Sequence, residues 1–410
     1  MDTVLTIDGN SFPGIWRYLL PEDFAYMKLP QERHSTCHNC PSVACQSFRP
    51  DYRCCTYLPK MTNFQLSQVF HDNPESIKRL VHRRLVTPEG LTASPTDWFL
   101  SAVQNTSGQF GKGDLILCPM FNKELNNCGV HRFRNATCST FFCYKDHGAE
   151  GEIFWDKLET LVVQIESALS QWIMSELGIN IEMFFQSLAD AAEDWTPPEP
   201  PISGPVGWTE TIMKGLWQDW YHRETEYFQK SYQLLQDHKH ELYEIAKSYP
   251  MKRPSEFERK MQSKVPDAIS HRLSESETYQ KGDIVSIESL WYEFSAVQRN
   301  LLKIPSSGEE MVQNPYLSLV ELNNFSLDQT LKPHLEGYSH AVINPDSPTQ
   351  NLDSMVVIKS HETELWHYFS SPKPIDETLY LELTDQDPQE IMRTISEWIK
   401  RQILVDRKRI

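Results

Sequence analysis

Nine cysteines lie between Cys37 and Cys143, and none occurs in the rest of the 410 residues. They run Cys37-x2-Cys40-x4-Cys45-x8-Cys54-Cys55, then resume after a gap of about sixty residues as Cys118-x9-Cys128-x9-Cys138-x4-Cys143. The thiolate is a metal ligand, so the first third of the chain carries the residues able to hold a soft metal ion. In Cys37-His38-Asn39-Cys40 a tight turn can aim two thiolates at one ion while backbone N–H groups stabilise their charge. Cys54 and Cys55 would point to opposite sides of an extended backbone, so one of the pair is expected to reach a given metal. Nine thiols exceed the four that one zinc or one four-iron cluster needs. They allow two four-ligand sites, or one site with buried spectators.

Disulfides are the competing use of cysteine, and they need an oxidising compartment. Met1 to Tyr18 has neither the basic n-region nor the apolar h-region of a signal peptide, and the cysteine count is odd. A reduced, cytoplasmic metal site is therefore the expectation. The second cluster has no Cys-x2-Cys, which argues against a zinc ribbon. The radical-type Cys-x3-Cys-x2-Cys and the ferredoxin run are also absent, so spacing leaves iron–sulfur and zinc both open. His131, three residues after Cys128, is a possible fourth ligand of a mixed Cys/His zinc site. His38 is expected to line the site or face solvent.

Five segments carry a family resemblance: Cys37-His-Asn-Cys40, Cys54-Cys55-Thr-Tyr, Cys118-Pro-Met-Phe, Cys128-Gly-Val-His-Arg-Phe-Arg and Cys138-Ser-Thr-Phe-Phe-Cys143. Their order resembles that of the YkgJ-type zinc- or iron-chelating cysteine-cluster proteins over roughly residues 34 to 147. Cys45 is a ninth thiol beyond that pattern, and Asn135 follows Arg134 where the family tends to place proline. The flagellin lysine N-methylases are similar in setting a cysteine cluster ahead of a long helical region. That resemblance implies an iron–sulfur cluster, S-adenosylmethionine and methyl transfer to a protein or peptide partner. The alternative is a zinc-stabilised interaction scaffold or a metal carrier.

Residues 1–150 hold 15 Lys and Arg against 14 Asp and Glu, while the remainder holds 24 against 42, so the formal charge of −17 resides in the later part. The dense cationic group Lys78, Arg79, Arg83 and Arg84 has helical spacing and reads as a solvated face, which gives no footprint for nucleic acid. No apolar run approaches the roughly 18 residues that span a bilayer. Gly108-Gln-Phe-Gly111-Lys112-Gly113 lacks the spacing of a phosphate loop.

The elements that must position the cysteines follow from periodicity. An irregular arm is expected over 1–36, a helix over Pro74 to Val86, and a strand over Gln109 to Leu117 entered from a glycine turn. Phe154, Leu158, Leu161, Ile165, Leu169 and Trp172 form one stripe of a helix beginning near Glu152. A shorter helix follows over Ile181 to Glu193, and five prolines at 196–206 mark a rigid linker. Helical pattern resumes over Thr209–Ser248, Pro254–Ser263 and Ile284–Leu302, with Trp208, Trp217, Trp220, Tyr221, Tyr227 and Phe228 as core. Strands are expected over Met355–Ile358, Glu364–Phe369 and Thr378–Leu383, and a last helix near Pro388–Ile403. The fold class is α+β: a cysteine-cluster metal domain over 1–150, a helical domain over 151–304, and a small α/β module over 305–410.

Overall fold

The stripe from Phe154 to Trp172 forms one face of a helix, Gly148–Glu176, and all six of its members are buried. The protein is described here from a computed structural model, which places residues 4–30, 40–44, 46–143, 148–198, 204–266, 286–301, 310–313, 317–322, 337–343, 356–375, 379, 383, 387–400 and 403–406. Helices dominate and the sheets are small and antiparallel, which makes the class α+β.

The chain divides into two compact units. One comprises Met1–Met27, Phe48–Phe141 and Leu158–Tyr292, the other Lys28–Ser47, Phe142–Lys157 and Glu293–Ile410. In the first unit, apolar residues from the cysteine region (Met61, Leu66, Val86, Met120, Val130) and from the helical region (Met174, Phe184, Trp208, Trp217, Phe228, Met261) share one core. Trp208, Trp217, Trp220, Tyr227 and Phe228 are buried as expected, and Tyr221 is half-buried against them. The aromatic-rich middle is thus packing, consistent with the large apolar area each ring removes from water.

Several elements differ from expectation. The described part of the N-terminal arm is a hairpin, Val4–Ile7 with Asn10–Pro13, followed by the buried turn of helix Trp16–Leu19. Asp8 and Gly9 both take positive φ at its turn (46° and 84°), the geometry a two-residue hairpin loop demands. The helix expected to reach Val86 stops at His82. There Arg84 is left-handed (φ 53°) and Leu85 N donates back to Leu80 O, a left-handed helix stop that frees Val86–Thr87 to pair with Gly90–Leu91.

No strand forms over 109–117. Gly108 and Gly111 turn the chain at φ 67° and 75°, and turn bonds, single backbone contacts from Arg49 N and Gly204 N, and side chains satisfy this backbone in place of a strand ladder. Gly111 N donates to Thr56 Oγ1 (2.6 Å), and Ile116 bonds through both N and O to Gln104. A Cβ at Gly111 would stand 2.0 Å from the Phe48 ring, so glycine permits this close approach.

Two helices frame the loop: Asn63–Asp72, opened by a Thr62 and Gln65 capping box, and Pro95–Thr106, opened by Ser94 with proline at the first position. The helices Ile181–Asp194, Glu210–Trp217, Glu224–Asp237, Leu242–Ser248, Ser255–Gln262 and Ile287–Leu301 follow. Of the proline-rich 196–206 stretch, residues 199–203 lie outside the described residues.

In the second unit, His340–Ile343 is the middle of one three-stranded antiparallel sheet, between Ser318–Glu321 and Val356–Ile358. Glu310–Gln313 is the middle of another, between Lys373–Pro374 and Leu404–Asp406. The segment expected as a strand at 364–369 is the helix Glu362–Tyr368, which buries Leu365, Trp366, Tyr368 and, just past its end, Phe369. Its spacing i, i+1, i+3, i+4 fits one helical stripe, which overrides the β propensity of its aromatics. Of the strand expected over Thr378–Leu383, residues 378 and 380–382 lie outside the described residues, and Leu383 N bonds Leu379 O. The closing helix is Pro388–Lys400.

Candidate functional site

The segment Asp51–Cys55 leaves the extended state at Arg53, which is left-handed (φ 53°), and Cys55 N donates to Tyr52 O at 3.0 Å. The pair is therefore not in the extended backbone for which divergence was expected, and Cys54 lies close enough to Cys55 to influence its thiol.

Arg53, itself buried, fastens the turn through Nη1 to Asn126 O (2.8 Å) and Asn126 Oδ1 (2.5 Å). Asn126 lies in the tight hairpin Phe121–Asn122 with Asn127–Cys128, which sets Cys128 opposite Phe121. Cys118 precedes that hairpin and donates its backbone N–H to Cys55 O at 2.9 Å. The fully buried Gln104 reinforces this pairing: its Nε2 donates to both Thr56 O and Ile116 O. The stretch after Cys55 is thereby tied to the stretch before Cys118.

Cys138 arrives on a separate element, the short helix Ala136–Thr140. The buried Asn135 caps it, accepting from Cys138 N at 3.1 Å and donating from Nδ2 to Lys60 O. Tyr57 Oη lies 2.7 Å from Cys138 Sγ. The long helix Gly148–Glu176 holds this short helix through carboxylates: Glu166 Oε2 accepts from Ala136 N, and Glu159 accepts from Thr137 and Thr140.

Three of the cysteine-bearing stretches therefore converge: Cys55 feels Cys54, Cys118 and Cys128, Cys138 feels Cys54 and Cys128, and Tyr57 feels Cys54, Cys118 and Cys138. All five are half-buried thiols, and Cys118 and Cys128 pack against the main core. Burial and close neighbours suppress the ionisation of Cys55 and Cys138. The hydrogen bond with Cys118 chiefly holds the Cys55 thiol well above its usual value, with burial and the charges of Cys118 and Cys128 adding to it. Burial pushes Cys138 up to about 12, aided by Cys128 and Cys54 and opposed by Tyr57 and Arg134. Burial, then Cys138, raises Tyr57 as well.

The remaining candidates are placed differently. Cys40 precedes the short helix Pro41–Ala44 in the second unit, where Ala44 packs with Leu322, Ala341 and Val357. Cys143 belongs to the second unit too, and Cys37, His38 and Cys45 lie outside the described residues. His131 is exposed on the 3-10 turn His131–Phe133. His238 pairs with Glu241 at the surface, and the cationic group at 78–84 is solvated, Lys78 meeting Glu75 at 2.6 Å. Among the described residues, no three His, Cys, Asp or Glu side chains stand as a ready metal cage, and no helix is long and apolar enough to cross a membrane.

Residues that spacing did not single out are Arg53, Gln104, Asn126 and Glu166. Each acts on a partner 30 or more positions away, so no local pattern marks it. The partners are Asn126 for Arg53, Thr56 for Gln104 and Ala136 for Glu166. Compared with known proteins, the chain matches no family model, no curated protein and no solved structure.

Proposed function

We propose that this chain is a cytoplasmic metalloprotein that holds an iron–sulfur cluster or zinc through the thiolates of its N-terminal cysteine region. The convergence of the stretches bearing Cys54 and Cys55, Cys118 and Cys128, and Cys138 carries this reading. Sulfur-only donors suit zinc and iron–sulfur clusters, and four suffice for either. A bound cation would reverse the local logic: Cys55 and Cys138, whose ionisation burial and close neighbours suppress, would serve as anionic ligands and release their protons.

When bound, an iron–sulfur cluster would supply electron transfer, and zinc would supply folding free energy. The chain's own part is to hold the set. Arg53 and Asn126 lock the Cys54–Cys55 turn to the Cys128 hairpin, Gln104 braces Cys55 against Cys118, and Asn135 fixes Cys138. Cys37, Cys40, Cys45 and Cys143 are the remaining candidates, enough for the second four-ligand set that nine thiols allow. In this reading the metal-binding cysteines lie within residues 1–150, and the helical region over 151–304 shares the core of the unit that holds Cys54, Cys55, Cys118, Cys128 and Cys138. S-adenosylmethionine and a methylated protein or peptide partner enter through the resemblance to the lysine N-methylases alone.

Metal and acid-labile sulfide analysis of protein purified without oxygen tests the reading. About four irons with matching sulfide and a brown colour select the cluster, and colourless protein with stoichiometric zinc selects the structural ion. Protein with neither metal overturns the proposal.

A further inference from the structure

We propose that Tyr57 is a positioning residue of the thiol site, its phenol donating a hydrogen bond to the Cys138 sulfur when that sulfur is a metal-bound thiolate. The inference rests on the metal reading above and adds a residue to it. Oη and Sγ are 2.7 Å apart. A thiolate can only accept, so once Cys138 is a ligand the phenol must be the donor.

Both partners are fixed independently of each other. Tyr57 follows Thr56, whose carbonyl accepts from Gln104 and whose hydroxyl accepts from Gly111 N. Cys138 is held by its Asn135 cap. Phe110 lies 6.3 Å from the Tyr57 ring, edge-on to it, and in turn meets Phe48 (5.3 Å) and Phe141 (5.8 Å). In this half-buried setting a hydrogen bond to the sulfur is stronger than in open water. Packing alone would be served by phenylalanine, and a thiol is a weak acceptor for a hydroxyl that needs only to be satisfied. The pairing makes chemical sense if the sulfur carries charge. A hydrogen bond to a ligating sulfur withdraws charge from it, which raises the reduction potential of an iron–sulfur cluster and slows loss of the metal.

The test compares full-length wild type with Tyr57→Phe, both purified anaerobically with metal. It reads the rate of metal release into excess chelator, the reduction midpoint if iron is present, and the melting temperature of each metal-free protein. Tyr57→Phe should keep its metal content and its metal-free melting temperature, yet release metal on the order of 10- to 100-fold faster, with a more negative midpoint for a cluster. Release at the wild-type rate from a loaded pair overturns this inference while leaving the metal reading intact. Faster release matched by a lower metal-free melting temperature assigns Tyr57 to packing and also overturns it. Wild-type protein holding neither iron nor zinc overturns the metal reading and this inference with it.

Discussion

Gln104 is a neutral side chain with the tasks of a short strand. Its amide meets Thr56 O, Ile116 O and Ile116 N, all in a buried setting. Gln104→Ala should cost about 1–3 kcal/mol for each backbone group left without a partner, seen as a lower urea midpoint. Serine at Cys55, Cys118 or Cys138 should abolish or sharply reduce bound metal, because a hydroxyl is a poor replacement for a thiolate, and metal content per chain checks it. Glu166 offers a prediction independent of metal. Burial pushes its carboxyl up to about 8, while Ala136 N and Gln65 Nε2 pull the other way. A carboxyl raised on folding contributes stability that is fully present below its unfolded value near 4.5 and is lost as pH rises through about 8. Wild-type stability should therefore decline across that window. Glu166→Gln loses one acceptor and starts lower, but its melting temperature should stay nearly level there. A decline equal to that of the wild type would contradict this.

At the scale of elements, the short helix Ala136–Thr140 is too brief to persist alone. It depends on its cap and on two glutamates of the helix Gly148–Glu176. Asn135→Ala should cost about 1 kcal/mol and, by loosening Cys138, should also speed metal release, while the thermal midpoint and a chelator assay separate the two effects. The sequence carries more helix signals than hydrophobic periodicity alone reveals. Thr62-x-x-Gln65 and Ser94-Pro95-x-Asp97 are local start signals, and the structure places helices after both. The segment at 362–368 is the opposite case. Its aromatics suit strand or helix, and packing of Leu365 and Trp366 in the second unit's core decides for helix.

For the whole molecule, the first unit draws one core from both sides of residue 150, so on the proposed reading metal bound among its thiols would add to the stability of the shared core as well as of the loops. Removing metal with a strong chelator should lower the melting temperature of protein that was loaded, since ligand bound to the native state stabilises it by mass action. The shift should vanish in the Cys118→Ser variant. Calorimetry of the two proteins with and without chelator checks both statements.

By itself the sequence determined the long amphipathic helix, the helices near 181–194 and 388–400, the aromatic core of the middle region and the confinement of every cysteine to residues 37–143, because these depend on residue type and on periods of three and four. It did not determine which thiols meet. Extended geometry separates Cys54 from Cys55, whereas the chain turns at the left-handed Arg53 and Cys54 acts directly on the Cys55 thiol. Cys118, Cys128 and Cys138 join them through Gln104, Arg53 and Asn135, whose bonds bridge stretches far apart in the chain. Such bonds leave no periodic trace: each is a single contact made possible by the folded backbone, and tertiary structure alone assembled the site.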